Sequence, residues 1–260
     1  MKAFLALLAF LQSAGVHVER VSVPGPEGLN LDAALVVPDK PAIAPSIVAL
    51  HGCGGPFPSR DGQWAVTLVN AGHIVLLPDS FGSRGQGSQC GTTKRTVTAE
   101  GLRRHDAIDA AQWLTARSGT PPGGIDLIGW SNGGSTVLET ARQTDDLPRG
   151  LFQRFVAFYP GCPTKAEEPD WKPVAPMMIL MGEDDDWTPA PPCHEFASRF
   201  PGEVTLITYA GTHHDFDVPD RPVRIRDGAA TAVGGKAHVG TNEATRQDAL
   251  APVPQWLQER

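Results

Sequence analysis

A chain of 260 residues is long enough to bury the core of one large domain. Hydrophobic residues make up 41% and charged residues 20%, the balance of an ordinary globular protein, and the 28 glycines and 24 prolines are scattered rather than gathered in a low-complexity tract. The net charge of −7, with no basic stripe, argues against a nucleic-acid partner.

The first residues, "MKAFLALLAFLQSAG", place one lysine before an apolar run and end on Ser13-Ala14-Gly15. This is the layout of a short secretory signal cleaved after Ala14 or Gly15, and the run is too short to span a bilayer comfortably. The expectation is a signal peptide over 1–15 and one domain over 16–260, in a secreted or periplasmic protein without stable membrane insertion. The competing reading is a buried first helix or strand of the domain.

"HVERVSVPG" and "LNLDAALVVPD" alternate apolar and polar residues and predict an antiparallel hairpin. "SIVALHG" is a continuous apolar run, a strand buried on both faces. "DGQWAVTLVNAG" has helical spacing and stops at Gly72; "HIVLLPD" is the next buried strand, followed by a Gly-rich loop. Leu102, Ile108, Ala111 and Leu114 mark a helix that closes by Gly119, ahead of Pro121-Pro122. "GIDLIGW" is a strand and "NGGSTVLETARQ" a helix. Three more strands lie in "RFVAFYPG", "APMMILMG" and "EVTLITYAG", with a helix, "PPCHEFASRF", between the last two. The C-terminal segment is mainly helical, interrupted by Pro252 and Pro254. A leading hairpin and then alternating strands and helices predict an α/β domain with a mostly parallel sheet.

Four cysteines, Cys53, Cys90, Cys162 and Cys193, have no CxxC spacing, so a zinc or redox motif is not supported. An even count in an exported chain favours two disulfides; chain order suggests Cys53–Cys90 and Cys162–Cys193, and three pairings are possible.

In open α/β sheets functional groups gather at the carboxyl ends of strands. Those ends carry His51-Gly52-Cys53-Gly54-Gly55, Asp79-Ser80, Trp130-Ser131-Asn132, Glu183-Asp184-Asp185-Asp186 and His213-His214-Asp215. A serine, an acidic cluster and a histidine pair thus follow in the chain order of α/β-hydrolase triads. Gly129-Trp130-Ser131-Asn132-Gly133 fits G-x-S-x-G, a sharp strand-to-helix turn that exposes a serine nucleophile. Ser131 alone also suits a helix N-cap, but a cap needs no flanking glycines and implies nothing about residues 185 and 214. The base is His213 or His214, and spacing leaves Asp184, Asp185 and Asp186 open as the acid. Two backbone N–H groups would hold the oxyanion, one from Asn132 and one from "HGCGG", with Cys53 favoured and Gly54 next.

The segments "LHGCGG", "PDSFGSRG", "IGWSNGGS", "GEDDDWTPAPPC" and "TYAGTHHDFD" resemble the dienelactone hydrolase family of α/β-hydrolases over roughly residues 25–220. The resemblance implies an α/β-hydrolase fold with a central sheet of about eight strands. It implies Asp185 as the acid, through Gly182 before it and Pro189 after it, and His214 as the base, through "HHDF". It also implies that Arg84 binds a substrate carboxylate, a task suited to a guanidinium fork. Trp130 and Trp187 flank the candidate residues and are candidates to line the acyl pocket. The family's namesakes carry cysteine at the turn; this chain has Ser131.

These readings point to a serine-dependent hydrolase of small carboxylic esters or lactones that needs no metal or cofactor. A serine peptidase of the same fold is one alternative. A non-catalytic binding protein on this scaffold is another, although such proteins often lose a member of the triad and none is missing here.

Overall fold

The computed structural model describes residues 2–162 and 171–259. Eight strands form one sheet: β1 (His17–Pro24), β2 (Asn30–Val37), β3 (Ser46–Leu50), β4 (Val75–Pro78), β5 (Ile125–Trp130), β6 (Phe152–Phe158), β7 (Met177–Gly182) and β8 (Val204–Tyr209). Their spatial order is β1-β2-β4-β3-β5-β6-β7-β8. β1 and β2 pair antiparallel, β2 pairs antiparallel with β4, and every later neighbour is parallel. This is the doubly wound α/β-hydrolase arrangement with its leading hairpin.

The strands with continuous apolar runs occupy the middle. Every residue of β3, β4, β5 and β7 is buried, because helices cover both faces of the sheet. β1 alternates because it is an edge strand with one wet face. The covering helices include α2 (Pro58–Asn70), α3 (Leu102–Ala116), α4 (Asn132–Ala141) and α5 (Pro191–Ser198). Two short ones, α6 (Glu243–Leu250) and α7 (Pro252–Gln258), follow near the C-terminus and are divided at Pro252, which takes the first turn of α7, where its missing N–H is harmless.

Two local features go beyond the sequence expectation, and a third concerns the N-terminal segment. α2 begins one turn earlier than its apolar spacing suggests. Pro58 starts it, and Asp61 Oδ2 accepts the Phe57 N–H at 2.7 Å, which satisfies an otherwise orphaned donor. Residues 221–240, which carry no element in the sequence reading, contain a second small sheet of β9 (Arg224–Asp227) and β10 (Lys236–Val239). Residues 2–13 form a helix, α1, with Phe4, Leu7 and Leu11 buried in the core. Gly62 of α2 admits it: a Cβ there would lie 2.2 Å from the Phe10 ring.

Both cysteine pairs are disulfide-bonded, Cys53 to Cys90 and Cys162 to Cys193, as chain order suggested.

Candidate active site

The carboxyl ends of β3, β5, β7 and β8 converge on Ser131. This residue connects β5 to α4 with φ 53° and ψ −116°. A non-glycine residue rarely adopts that conformation, and holding it there costs about 1–3 kcal/mol. The flanking glycines make the turn sterically possible. A Cβ on Gly129 would stand 2.4 Å from the Gly133 carbonyl oxygen, and one on Gly133 would stand 2.2 Å from that of Leu50. The backbone itself fills both spaces, so no side chain fits. Ser131 N–H donates to the Phe158 carbonyl at 2.9 Å, which ties the turn to the end of β6.

The Ser131 side chain does not cap α4. Its Oγ lies 2.9 Å from His214 Nε2. His214 Nδ1 lies 2.7 Å from Asp185 Oδ2. Since a carboxylate only accepts, Nδ1 carries the proton and Nε2 is left to accept from the serine hydroxyl. Asp185 is itself held in place: Oδ1 accepts the N–H groups of Trp187 and Thr188 at 2.9 Å each, and Thr188 Oγ1 donates to Oδ2 at 3.0 Å. Asp185 is 4% and His214 1% exposed. Burial lowers the histidine's pKa, but the charge and hydrogen bond of Asp185 outweigh it, and the net shift is upward.

The neighbouring candidates go elsewhere. His213 Nδ1 meets the Asp184 carbonyl oxygen at 2.7 Å. Asp186 pairs with His238 at 2.7 Å on the surface. Asp184 is exposed.

The His51–Gly55 turn packs against the serine: a Cβ on Gly52 would lie 3.6 Å from that of Ser131. His51 is buried, with Nδ1 donating to the Gly52 carbonyl at 2.8 Å and Nε2 accepting the Ser80 N–H at 3.2 Å. Burial, and then Arg103, hold its pKa well below the usual histidine range, so it is a neutral brace for this turn. Asn132, the first residue of α4, has an N–H with no acceptor within its helix, as at every helix start.

Ser131 opens onto two clefts. One, of about 430 Å³, is lined by Arg95, Glu100, Glu139 and Thr188 among others. The other, of about 270 Å³, is lined by Phe57, Arg60, His214, Arg221 and Arg226 among others. Cys53, Ser131 and Trp187 border both. The Trp187 ring lies 4.8 Å from that of His214, and its Nε1 donates to Thr231 Oγ1 at 3.0 Å.

Two residues singled out in the sequence lie away from these clefts. Arg84 forms a two-pronged pair with the buried Asp106, at 2.7 and 2.8 Å, and donates to the Ser80 carbonyl. A guanidinium so engaged is structural in this conformation; the arginines that face the clefts are Arg60, Arg95, Arg221 and Arg226. Trp130 is fully buried, stacks on Phe158 and donates from Nε1 to Asp217 at 2.8 Å. It is core packing beneath the serine rather than pocket wall, because successive strand residues alternate faces.

Sequence reasoning missed Asp217, which also accepts from Trp64 Nε1 at 2.7 Å and from the Tyr159 hydroxyl at 2.6 Å. The Tyr159 ring in turn lies 4.5 Å from that of His214. Arg103, at the start of α3, was missed as well. Arg103 lies in a helix and Asp217 in a turn, and neither residue's partners are near it in the chain.

The dienelactone hydrolase family model matches residues 31–260, beyond the segment whose motifs carry the resemblance. Among solved structures, a candidate dienelactone hydrolase from Klebsiella pneumoniae subsp. pneumoniae is similar with a TM-score of 0.71 at 15% identity, covering 94% of this chain and 99% of that one. An esterase from Pyrobaculum calidifontis has a TM-score of 0.64 at 17% identity, covering 99% and 91%. Dipeptidyl peptidase 4 of Porphyromonas gingivalis has a TM-score of 0.65 at 16% identity, but the match covers 93% of this chain and only 35% of the peptidase. No curated protein sequence matches significantly. At these identities the structural likenesses speak for the fold, and the match over residues 31–260 speaks for descent: the chain belongs to the dienelactone hydrolase family.

Proposed function

We propose that this hydrolase cleaves small carboxylic esters or lactones through an acyl-enzyme on Ser131. The observation that carries the reading is the hydrogen-bonded series Ser131 Oγ, His214 Nε2, His214 Nδ1 and Asp185 Oδ2, at 2.9 and 2.7 Å, at the junction of the two clefts. In the proposed reaction Oγ attacks the carbonyl carbon and its proton passes to His214 Nε2. Asp185 holds the imidazole and stabilises its cationic form. The N–H groups of Asn132 and Cys53 receive the negative oxygen, next to the start of α4, where the helix dipole favours negative charge. The C–O bond to the leaving group then breaks, and His214 returns the proton to the departing alkoxide. Water then attacks the acyl carbon as His214 takes its proton, the bond from that carbon to Ser131 Oγ breaks, the carboxylic acid leaves, and His214 returns the proton to Oγ.

Serine depends more on its base than a cysteine does, which fits the close histidine contact here. The test is Ser131→Ala with p-nitrophenyl acetate: hydrolysis is lost in a protein of unchanged thermal midpoint, and a fluorophosphonate no longer labels it. Retained turnover would overturn the reading. A panel of esters, lactones and dipeptide amides separates an esterase from a peptidase; this chain spans about a third of the peptidase it resembles. A binding protein would not be labelled at Ser131.

We further propose export directed by residues 1–15. Two disulfides support it, and among the described residues no helix is long and apolar enough to cross a membrane. In the full chain α1 packs on α2, so cleavage would bare that face of the domain. Mass spectrometry of the secreted protein should place its first residue near Val16.

A further inference from the structure

Arg103 is fully buried, yet its guanidinium faces two neutral acceptors. Nη1 donates to Asn132 Oδ1 at 2.6 Å and Nη2 to the His51 carbonyl oxygen at 2.6 Å. The guanidinium lies over the Phe81 ring, 5.0 Å from its centroid, and that ring packs edge-on to His51 at 4.9 Å. Its Nε has no acceptor among the described residues. Asp106, whose charge favours the Arg103 cation, is already bound two-pronged to Arg84. Burial pulls the guanidinium down to about 10, so it remains a cation at neutral pH.

Burying a cation against neutral acceptors is a poor way to gain stability, since an apolar side chain of similar volume avoids the desolvation. The two acceptors have something else in common. Asn132 is the residue whose N–H would form one half of the oxyanion hole, and His51 opens the turn whose Cys53 N–H would form the other. A planar guanidinium with fixed nitrogen spacing spans both, whereas an ammonium is a single point on a flexible stem.

We infer that Arg103 is a positioning residue that sets the separation of the Asn132 and Cys53 N–H groups, and so the geometry of the oxyanion hole. The inference rests on the serine-hydrolase reading above. Hydrogen-bond donors of this kind act only when they stand about 2.7–3.1 Å from where the oxyanion forms, and losing one costs on the order of a hundredfold to a thousandfold in kcat. Displacing both by a few tenths of an ångström falls somewhat below that.

The experiment compares wild type, Arg103→Lys and Asn132→Ala with p-nitrophenyl acetate, with rates expressed per Ser131 titrated by a fluorophosphonate. Arg103→Lys should lower kcat about thirtyfold with KM within threefold. Affinity for a trifluoromethyl ketone, whose serine adduct carries an oxyanion, should fall by the same factor. Asn132→Ala keeps its N–H but loses one leg of the bridge, and should show a smaller loss of the same kind. In Arg103→Ala, millimolar guanidinium should restore kcat and methylammonium should not. A merely structural role would lower the thermal midpoint while leaving kcat per titrated serine within twofold of wild type, and that result overturns the inference. Arg103 variants that do not fold, together with full kcat in Asn132→Ala, overturn it equally. A wild type without turnover or Ser131 labelling removes the hydrolase reading and the inference together. An active wild type with an unaffected Arg103→Lys removes the inference alone.

Discussion

Oδ2 of Asp185 lies 2.7 Å from Nδ1 of His214. The adjoining carboxylates do not share this position: Asp184 is exposed, and Asp186 holds His238 at the surface. Asp185→Asn should therefore lower kcat by about a thousandfold or more, because an amide neither stabilises the imidazolium nor enforces the Nδ1–H tautomer. Asp184→Asn and Asp186→Asn should stay within about fivefold, since an exposed ion pair is worth at most about 1 kcal/mol. A loss in Asp186→Asn that matched Asp185→Asn would move the acid.

The same pair sets a pH dependence. In the proposed mechanism His214 must be neutral to accept the serine proton, and Asp185 raises its pKa against the opposing effect of burial. Esterase activity should rise with pH through a single group titrating above about 6.5, the unperturbed histidine value. In Asp185→Asn the residual activity should titrate at lower pH, because the larger of the two opposing carboxylates is gone and only Asp215 still counters burial. The linked stability runs the other way. A histidine whose folded pKa is raised contributes stability that is complete below about pH 6.5 and is lost as pH climbs through the folded value. The gap in thermal midpoint between wild type and Asp185→Asn should thus be widest near pH 6 and narrow toward pH 9. A gap that widens with pH would contradict this origin.

The sheet was legible because its strands are short apolar runs stopped by glycine or proline, and runs as short as "SIVAL" and "IDLIGW" suit a strand buried on both faces better than a helix. Ser131, Asp185 and His214 were legible as candidates because strand ends converge in this topology, and the structure brings their side chains within hydrogen-bonding distance. Arg84 shows where position along the chain stops informing. Its loop lies after the right strand, but Asp106, 22 residues away on α3, holds its guanidinium. Arg103 and Asp217 were illegible for the same reason. Each matters through partners brought by other elements: His51 and Asn132 for Arg103, and Trp64, Trp130 and Tyr159 for Asp217. The β9–β10 hairpin escaped because Arg224–Asp227 is mostly exposed and carries no buried apolar alternation.

The two disulfides should separate under mutation. Cys53–Cys90 closes a separation of 37 residues and Cys162–Cys193 one of 31, so loss of either removes a similar constraint on the unfolded chain, about 3–4 kcal/mol by loop entropy. Only the first bears directly on the proposed oxyanion hole. Cys53 carries one of its donors, and its carbonyl also accepts the Gln89 N–H at 2.7 Å, so the disulfide and this bond fix the turn from the same side. Cys90→Ser should lower both the thermal midpoint and kcat, whereas Cys193→Ser should lower the midpoint alone. Equal kcat in the two variants would show that the turn keeps its shape without the covalent tie.

The floor beneath the site is organised around one carboxylate. Asp217 is fully buried and its two oxygens accept three hydrogen bonds, from Trp64, Trp130 and Tyr159. Burial raises its pKa while nearby Arg60 and the donors oppose that rise. Asp217→Ala strands three buried donors at about 1–3 kcal/mol each, so the loss should reach about 3–5 kcal/mol and lower the thermal midpoint by roughly 10 °C. Tyr159→Phe removes a single donor and keeps the ring against His214, so it should cost about 1–2 kcal/mol with kcat nearly unchanged. Adding Tyr159→Phe to Asp217→Ala should then cost almost nothing further, because the hydroxyl's partner is already gone. Additive losses would mean that Tyr159 is held by something other than Asp217. Thermal unfolding of the two single variants and the double variant, followed by tryptophan fluorescence, measures this coupling directly.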